Sequence, residues 1–150
     1  MDILRSALVA HPPARLFGVI ERAEHYPAFL PWCASATILE RSDALVVARL
    51  AVRWHGLHLD FVTRNPMQPP HWMTIGLQEG PFRRFEGRWD LTPLADWGCR
   101  VDFRLGYELD SALLGALAGP VFDNLANSLV DAFIRRADDV ALAEPGETPG

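Results

Sequence analysis

Alternation of hydrophobic and polar residues runs through most of this chain and predicts β-strands. In CRVDFRLGYEL the odd-numbered residues from Cys99 to Leu109 are apolar, and most of the residues between them are charged. Such alternation is typical of an antiparallel sheet with one buried face and one wet face. The pattern predicts strands at residues 1–10, 45–54, 57–63, 71–77, 82–91 and 99–109. We expect NPMQPP, residues 65–70, to be a loop, because its three prolines remove hydrogen-bond donors from the ladder.

Helical spacing of apolar residues appears in two segments. The first predicts a short amphipathic helix over residues 14–23, and the link EHYPAFLPWC after it, residues 24–33, is expected to consist of turns or short helical pieces. The second carries one apolar stripe and predicts a long helix over residues 111–143. Gly119-Pro120 lies inside this stripe, so we expect a kink or a break into two helices there.

These elements indicate one α+β domain over residues 1–143. We expect a curved antiparallel sheet of about six to seven strands, wrapped around the long C-terminal helix, with two short helices after the first strand. A strongly curved sheet cannot contact the helix along its whole length, and the space left between them would form a ligand cavity. The polar tail EPGETPG, residues 144–150, is rich in Pro and Gly and is expected to be disordered.

Length and charge narrow the classes of function. The 150 residues suit a single domain, and the net charge of −5 argues against nucleic acid as the main partner, so no direct DNA binding is expected. The two cysteines lack metal-type spacing, which favours free thiols in a reducing cytoplasm. We see no signal peptide and no stretch that approaches the roughly twenty apolar residues of a transmembrane helix.

The segment EHYPAFLPWC is unusually apolar for a link, where Gly, Asn, Asp and Ser are common. Its Tyr26 and Trp32 each carry a polar atom, which suits the mouth of a pocket. For any single ring, packing in the core is the simpler explanation, but the set of large rings on one sheet face requires a concavity or a partner. The residues expected to contact an apolar ligand are Tyr26, Phe29, Leu30, Trp32, Trp54, Phe61, Trp89, Phe103, Tyr107, Phe122, Leu125, Leu129 and Phe133.

No catalytic or metal-binding constellation is evident in the sequence. His55 and His58 straddle a predicted turn, which gives their rings no defined geometry for zinc. Cys33 and Cys99 lie among apolar positions and are expected to be inert buried thiols. We therefore predict no catalytic residue, no metal ligand and no obligatory cofactor.

Four segments, in this order along the chain, resemble the coenzyme Q-binding START-like family of the polyketide cyclase-like (SRPBCC) superfamily, whose bacterial members include ribosome association toxins. They are YPAFLPWC (26–33), GPFRRFEGRWDLTPL (80–94), CRVDFRLGYEL (99–109) and GPVFDNLANSLVDAFIRRAD (119–138). Together these segments span most of the chain. The resemblance implies a helix-grip fold whose cavity holds ubiquinone, another polyprenyl quinone or another lipid.

The resemblance also implies a lipid chaperone that supports respiration, cytoplasmic or peripheral at the inner membrane, rather than an enzyme. Two alternatives stay open: a toxin-like factor that binds the large ribosomal subunit and blocks subunit association, and a small cyclase or hydrolase that uses the same cavity. A stripe of arginines on the outer face of the sheet would dock on anionic lipids of a membrane surface if it were not neutralised. We expect that acidic residues on the same face neutralise it. These arginines are Arg83, Arg84, Arg88, Arg100 and Arg104.

Overall fold

The computed structural model describes residues 2–143, so the tail expected to be disordered at 144–150 lies outside the described residues. The described elements, in chain order, are β1 (Asp2–Val9), α1 (Pro13–Glu21), a 3-10 helix (Ala23–His25), α2 (Tyr26–Phe29), β2 (Cys33–Ser42), β3 (Leu45–Trp54), β4 (Leu57–Gln68), β5 (Trp72–Glu79), β6 (Phe82–Leu94), β7 (Gly98–Leu109), α3 (Ala112–Asn127) and α4 (Leu129–Ala143).

The seven strands form one antiparallel sheet in the order β1-β7-β6-β5-β4-β3-β2. Strands β2 to β7 follow one another as hairpins, and β1 pairs with β7, where Ile3 lies opposite Leu105 and Val9 lies opposite Cys99. Apolar residues on the inner face of the sheet form one core with the helices. The structure confirms the predicted α+β helix-grip architecture, with short helices after β1 and helical cover from the C-terminal segment.

Strand β2 is absent from the pattern-based prediction, and its place in the sheet explains why. It lies at the edge opposite β1, and most of its residues are exposed. Its register with β3 shifts between Cys33 and Ser35 and again between Ile38 and Glu40. Bulges of this kind interrupt the alternation of inward and outward side chains. An exposed edge strand with two bulges therefore leaves no continuous period of two in the sequence.

The prediction of a loop at residues 65–70 is wrong for its first part. Strand β4 continues to Gln68, and Pro66 lies opposite Leu45 of β3. On the other side of β4, the ladder with β5 skips Pro66. A proline is tolerated where the ladder is interrupted, because no backbone donor is needed there. Asn65 is therefore part of a strand, and its side chain faces the inner side of the sheet.

The predicted break at Gly119-Pro120 does not occur, because the helical segment is divided at Ser128 instead, and the alternative of a kink at this point stays a prediction. Helix α3 continues through Pro120, which is exposed together with Ala116, so water can reach the carbonyl that the proline leaves unpaired. At Ser128 the hydroxyl donates to the carbonyl of Leu125 at 2.8 Å. A serine side chain that hydrogen-bonds to the backbone of the preceding helical turn competes with the hydrogen bonds of the helix and favours a break in it.

Helices α3 and α4 together cover Ala112–Ala143, a stretch that is long and apolar enough to cross a membrane by length and composition alone. This corrects the expectation that no such stretch exists. In the fold the stretch is interrupted at Ser128, and Phe122, Phe133 and Ala137 are buried against the rest of the domain. The core helix of a soluble protein has the same composition, so the stretch by itself does not indicate a membrane span.

Phe133 of α4 is the centre of the contact between helix and sheet. Its ring stacks on Trp89 of β6, with centroids 5.2 Å apart and planes inclined by 8°. Tyr26 and Phe29 of α2 pack on the same ring, with centroids at 5.2 Å and 5.6 Å. Aromatic pairs of this kind contribute about 0.5–1.5 kcal/mol beyond the area they bury. Phe133 thus joins β6, α2 and α4 in one core.

Polar contacts fix α4 along the strand β1. Arg5 of β1 forms an ion pair with Asp131 at 3.2 Å and also donates to the carbonyl of Asn127. His11, just after β1, lies 2.5 Å from a carboxylate oxygen of Asp138. These contacts, together with Phe133, make α4 a fixed wall of the space under the sheet.

Replacing Gly98 by alanine should lower the free energy of unfolding by about 2–4 kcal/mol. Gly98 has a φ of +154°, and a Cβ at this position would overlap the carbonyl oxygen of Val9. Gly115→Ala is the matched control, because a Cβ there meets open space in α3, and it should raise stability by up to about 1 kcal/mol. Urea denaturation measures both, and equal stability of the two variants would contradict the close approach of β7 to Val9.

Candidate functional site

A small apolar cavity of about 100 Å³ lies between the inner face of the sheet and the helices α3 and α4. Strands β3 to β7 contribute one wall, and the end of α3 with the start of α4 contributes the other. A larger depression beside Glu24 and Arg41 is an open surface groove lined mainly by charged and polar residues. The residues that line the inner cavity are Tyr26, Trp32, Cys33, Leu50, Phe61, Thr63, Asn65, Met73, Ile75, Phe85, Trp89, Phe103, Leu105, Phe122, Leu125, Ala126, Leu129 and Phe133.

Most of the residues expected from the sequence to contact a ligand line this cavity. The alternation along β4, β6 and β7 brings their aromatic side chains to one side of the sheet. The spacing of three and four residues along α3 and α4 turns their apolar stripe towards that side. The structure brings these residues together, whereas their contact with a ligand stays a prediction. The predicted residues in the lining are Tyr26, Trp32, Phe61, Trp89, Phe103, Phe122, Leu125, Leu129 and Phe133.

Three of the other predicted residues pack elsewhere in the domain. Leu30 is fully buried in the core, outside the cavity lining. Phe29 packs against Phe133, with ring centroids 5.6 Å apart, and is not among the lining residues. Trp54 lies at the end of β3, where its ring contacts the ring of His55 with centroids 4.7 Å apart. Their positions are explained by packing alone.

Tyr107, the last of the predicted residues, attaches α3 to the sheet. Its hydroxyl donates to the carbonyl of Gly119 at 3.2 Å and lies 3.5 Å from Oδ1 of Asp123. Burial, together with the Asp123 carboxylate, raises the pKa of Tyr107 to about 12. The phenol therefore remains a hydrogen-bond donor at neutral pH, and it maintains the position of α3 over the cavity.

Sequence reasoning misses two kinds of lining residue. The apolar ones are Cys33, Leu50, Met73, Ile75, Phe85, Leu105 and Ala126. The alternation of the strands marks most of these as inward-facing, but nothing in the pattern separates cavity from core. Thr63 and Asn65 are missed because they are polar and because Asn65 falls in the segment wrongly predicted as a loop. The period of two along β4 could have identified them, because residues 63 and 65 face the same side of the strand as Phe61.

Two polar groups of the lining already have partners within the protein. The Tyr26 hydroxyl donates to the carbonyl of Ile20, and burial raises the pKa of Tyr26 well above its usual value. The Cys33 thiol lies 3.5 Å from the carbonyl oxygen of Ser35, and burial raises the pKa of Cys33 to about 11. Both groups are therefore neutral at physiological pH.

Thr63 and Asn65 place further polar atoms at the cavity. Thr63 is only 3% exposed and Asn65 is half-buried. Oδ1 of Asn65 is buried and has no hydrogen-bond partner in the described part of the chain. A buried acceptor left unpaired costs about 1–3 kcal/mol. This atom is therefore a point at which a bound molecule could gain a hydrogen bond.

The chemistry of the lining favours binding. No carboxylate, imidazole or guanidinium group is among the lining residues that the structure describes. Within residues 2–143, no group of three His, Cys, Asp or Glu is placed to hold a metal ion. General acid–base catalysis needs a titratable group with a pKa near the working pH. The cavity instead offers flat apolar surfaces and a hydrogen-bond acceptor.

Most of the predicted arginine stripe on the outer face of the sheet is neutralised. The ion pairs are Arg84–Asp2 at 3.2 Å, Arg88–Asp90 at 2.9 Å and Arg100–Asp102 at 3.2 Å. Pairs at such exposed positions contribute little to stability. Arg104 is exposed on the outer face, whereas Arg83 lies at a bulge of β6 beside α3, where it lines a surface depression with Gly115 and Gly119; the predicted place of Arg83 in the outer stripe is therefore wrong. Neither arginine has an acidic partner among the described residues. The outer face therefore presents an isolated cation rather than a continuous patch.

Known proteins resemble this chain over most of its length. The ribosome association toxin RatA of Pseudomonas aeruginosa is 37% identical over 135 residues, which are 90% of this chain and 94% of the relative. The mitochondrial coenzyme Q-binding protein COQ10 homolog B of Xenopus laevis is 24% identical, over 82% of this chain and 52% of that protein.

Two solved structures share the fold. The Zhui aromatase/cyclase from Streptomyces sp. R1128 superposes with a TM-score of 0.83 at 17% identity, covering 97% of this chain and 98% of that one. A START superfamily protein from Mycobacterium smegmatis gives a TM-score of 0.75 at 21% identity, covering 93% and 98%. These likenesses show a START-like fold. The family model for polyketide cyclase/dehydrase and lipid transport matches residues 9–134, and the chain belongs to this family.

Proposed function

We propose that this protein binds a hydrophobic ligand between the sheet and helices α3 and α4, and that the ligand is ubiquinone, another polyprenyl quinone or a lipid of similar chemistry. The observation that carries the proposal is the cavity, which aromatic and aliphatic side chains line almost completely. The name of the Xenopus relative and the lipid-transport description of the family support this ligand class. The protein would carry the lipid to respiratory or biosynthetic partners at the membrane surface.

The aromatic rings of the lining suit a flat head group. Trp89 lies 4.4 Å from Phe103 and 5.2 Å from Phe133, measured between ring centroids. A quinone ring can pack beside this cluster of rings, and an isoprenoid tail can pack against Leu125 and Leu129 of the helices. Burial of the tail would supply most of the affinity, at roughly 25 cal/mol for each Å² of apolar area.

A ligand of this size requires the cavity to widen. Its volume of about 100 Å³ is smaller than the roughly 150 Å³ of an apolar cavity that admits benzene. Both helices are held to the sheet, α4 by Phe133 and by the ion pair of Arg5, and α3 by the Tyr107 hydroxyl and by Phe122, whose ring lies 4.7 Å from that of Tyr107. Because the two helices are divided at Ser128, we propose that they separate there when the ligand enters.

Organic extraction of the purified protein, expressed in a quinone-producing bacterium, should yield near-stoichiometric polyprenyl quinone by mass spectrometry. Ala126→Leu should lower the yield at least about tenfold, because its added isopropyl group enters a cavity of about 100 Å³. Ala116→Leu is the matched control, since Ala116 lies on the exposed side of the same helix. An empty or phospholipid-only extract from the unmodified protein would contradict the quinone proposal, and an undiminished yield from Ala126→Leu would contradict this cavity as the site.

A ligand in the cavity should also protect Cys33 from alkylation by N-ethylmaleimide. Cys33 lines the cavity, whereas Cys99 is buried outside the lining and serves as a control within the same chain. Because burial raises the pKa of Cys33 to about 11, little thiolate is present near neutral pH and labelling is slow. Adding a short-chain ubiquinone should slow labelling of Cys33 several-fold more than that of Cys99, measured by peptide mass spectrometry. Equal slowing at both thiols would indicate general stabilisation and contradict occupancy of the cavity.

A second candidate function is binding to the large ribosomal subunit, which would block subunit association. The observation that favours it is the 37% identity with the ribosome association toxin RatA over 90% of this chain. With a net charge of −5, contact with ribosomal RNA would depend on local cations. Arg83, beside α3, and Arg104, on the outer face of the sheet, are exposed arginines that lack acidic partners in the described residues.

For this second function, the protein should comigrate with isolated large ribosomal subunits in a sucrose gradient at low salt. Combining Arg83→Glu with Arg104→Glu should lower the bound fraction, because each change reverses an exposed charge, one beside α3 and one on the outer face of the sheet. Ala126→Leu, inside the cavity, is the control and should leave binding unchanged. Protein that stays at the top of the gradient would contradict the ribosomal function, and equal loss in the control would contradict a contact through these two arginines.

A further inference from the structure

Building on the proposed hydrophobic ligand, we infer that its polar head lies against β4 and donates a hydrogen bond from a hydroxyl group to Asn65. The site would then select hydroxylated lipids over lipids that carry only acceptor oxygens. For a quinone ligand, this means that the reduced quinol binds more tightly than the oxidised quinone.

The position of the two polar residues on β4 supports a single binding point. Thr63 and Asn65 are successive inward residues, and their cross-strand neighbours Ala48 and Val46 on β3 are both buried. Inward residues two positions apart are separated by roughly 6.5–7 Å along a strand. One ligand oxygen between them can therefore reach both side chains at hydrogen-bonding distance.

The chemistry of the two side chains determines whether the ligand group must donate or accept a hydrogen bond. Oδ1 of Asn65 is buried and accepts no hydrogen bond from the described residues, so it needs a donor. A hydroxyl supplies that donor, while its oxygen can accept from the hydroxyl of Thr63. A carbonyl or ether oxygen at the same place would set acceptor against acceptor and leave Oδ1 unpaired.

Other polar groups of the lining do not compete for this role. The Tyr26 hydroxyl donates to the carbonyl of Ile20, and the Cys33 thiol contacts the carbonyl of Ser35. Both groups use their hydrogen within the protein, on the α2 and β2 side of the cavity. On the neighbouring strand β5, the lining residues are Met73 and Ile75, which are apolar.

The test is an anaerobic calorimetric titration with a decyl-tailed ubiquinone and with its chemically reduced quinol, which share the same tail. The unmodified protein should bind the quinol roughly tenfold more tightly. Asn65→Leu, which has the same number and branching of side-chain heavy atoms, should abolish this preference by weakening quinol binding while leaving quinone binding unchanged. Thr63→Val should reduce the preference in the same direction. Met67→Leu is the matched control, because Met67 is the next inward residue of β4 and lies outside the cavity lining.

The outcomes separate this inference from the function on which it rests. Binding of both forms with equal affinity, unchanged by Asn65→Leu, would overturn the inference and leave the lipid site intact. Tighter binding of the oxidised form would also overturn it, since the amide would then be acting as a donor. Failure of both forms to bind would overturn the proposed lipid function itself. Thermal denaturation of each variant verifies that the domain is folded; removal of an unpaired acceptor should leave Asn65→Leu at least as stable as the unmodified protein.

Discussion

The stacking of Phe133 on Trp89 is the contact on which the rest of the site depends. It sets the distance between α4 and the middle of the sheet, and Tyr26 and Phe29 pack on the same ring from the α2 side. A smaller side chain at this position would let the helix approach the sheet and close the space. Two large rings stacked face to face act as a spacer because neither can be compressed, and the cavity exists beside them.

Both helices over the sheet are anchored, and the break at Ser128 separates them. Helix α4 has an aromatic contact with β6 and an ion pair with β1, between Arg5 and Asp131. Helix α3 has more buried residues than α4, among them Phe122, and it accepts a hydrogen bond from Tyr107 of β7. The helical wall of the cavity therefore consists of two separately anchored pieces that meet at one break.

Polar residues inside an apolar cavity reduce stability and add specificity. In the proposed lipid site, a fully apolar lining at Thr63 and Asn65 would avoid the cost of an unpaired acceptor, but it would bind any lipid of suitable shape. There, the buried Oδ1 of Asn65 would make binding depend on a matching donor. The absence of charged groups from the described lining is consistent with a site that encloses its ligand, even though the fold is shared with an aromatase/cyclase.

The sequence by itself determined which side chains face inward, because alternation and helical spacing depend only on local backbone geometry. This was enough to predict the sheet, the C-terminal helices and rings such as Trp89, Phe103 and Phe133. Two elements with a weak local signal were missed: β2 lies at an exposed edge, and Asn65 directly precedes a proline that the ladder with β5 skips. Only the tertiary structure decided where the sheet and helices separate and which polar atom lacks a partner. Those properties depend on distances between elements remote in sequence, which no local pattern encodes.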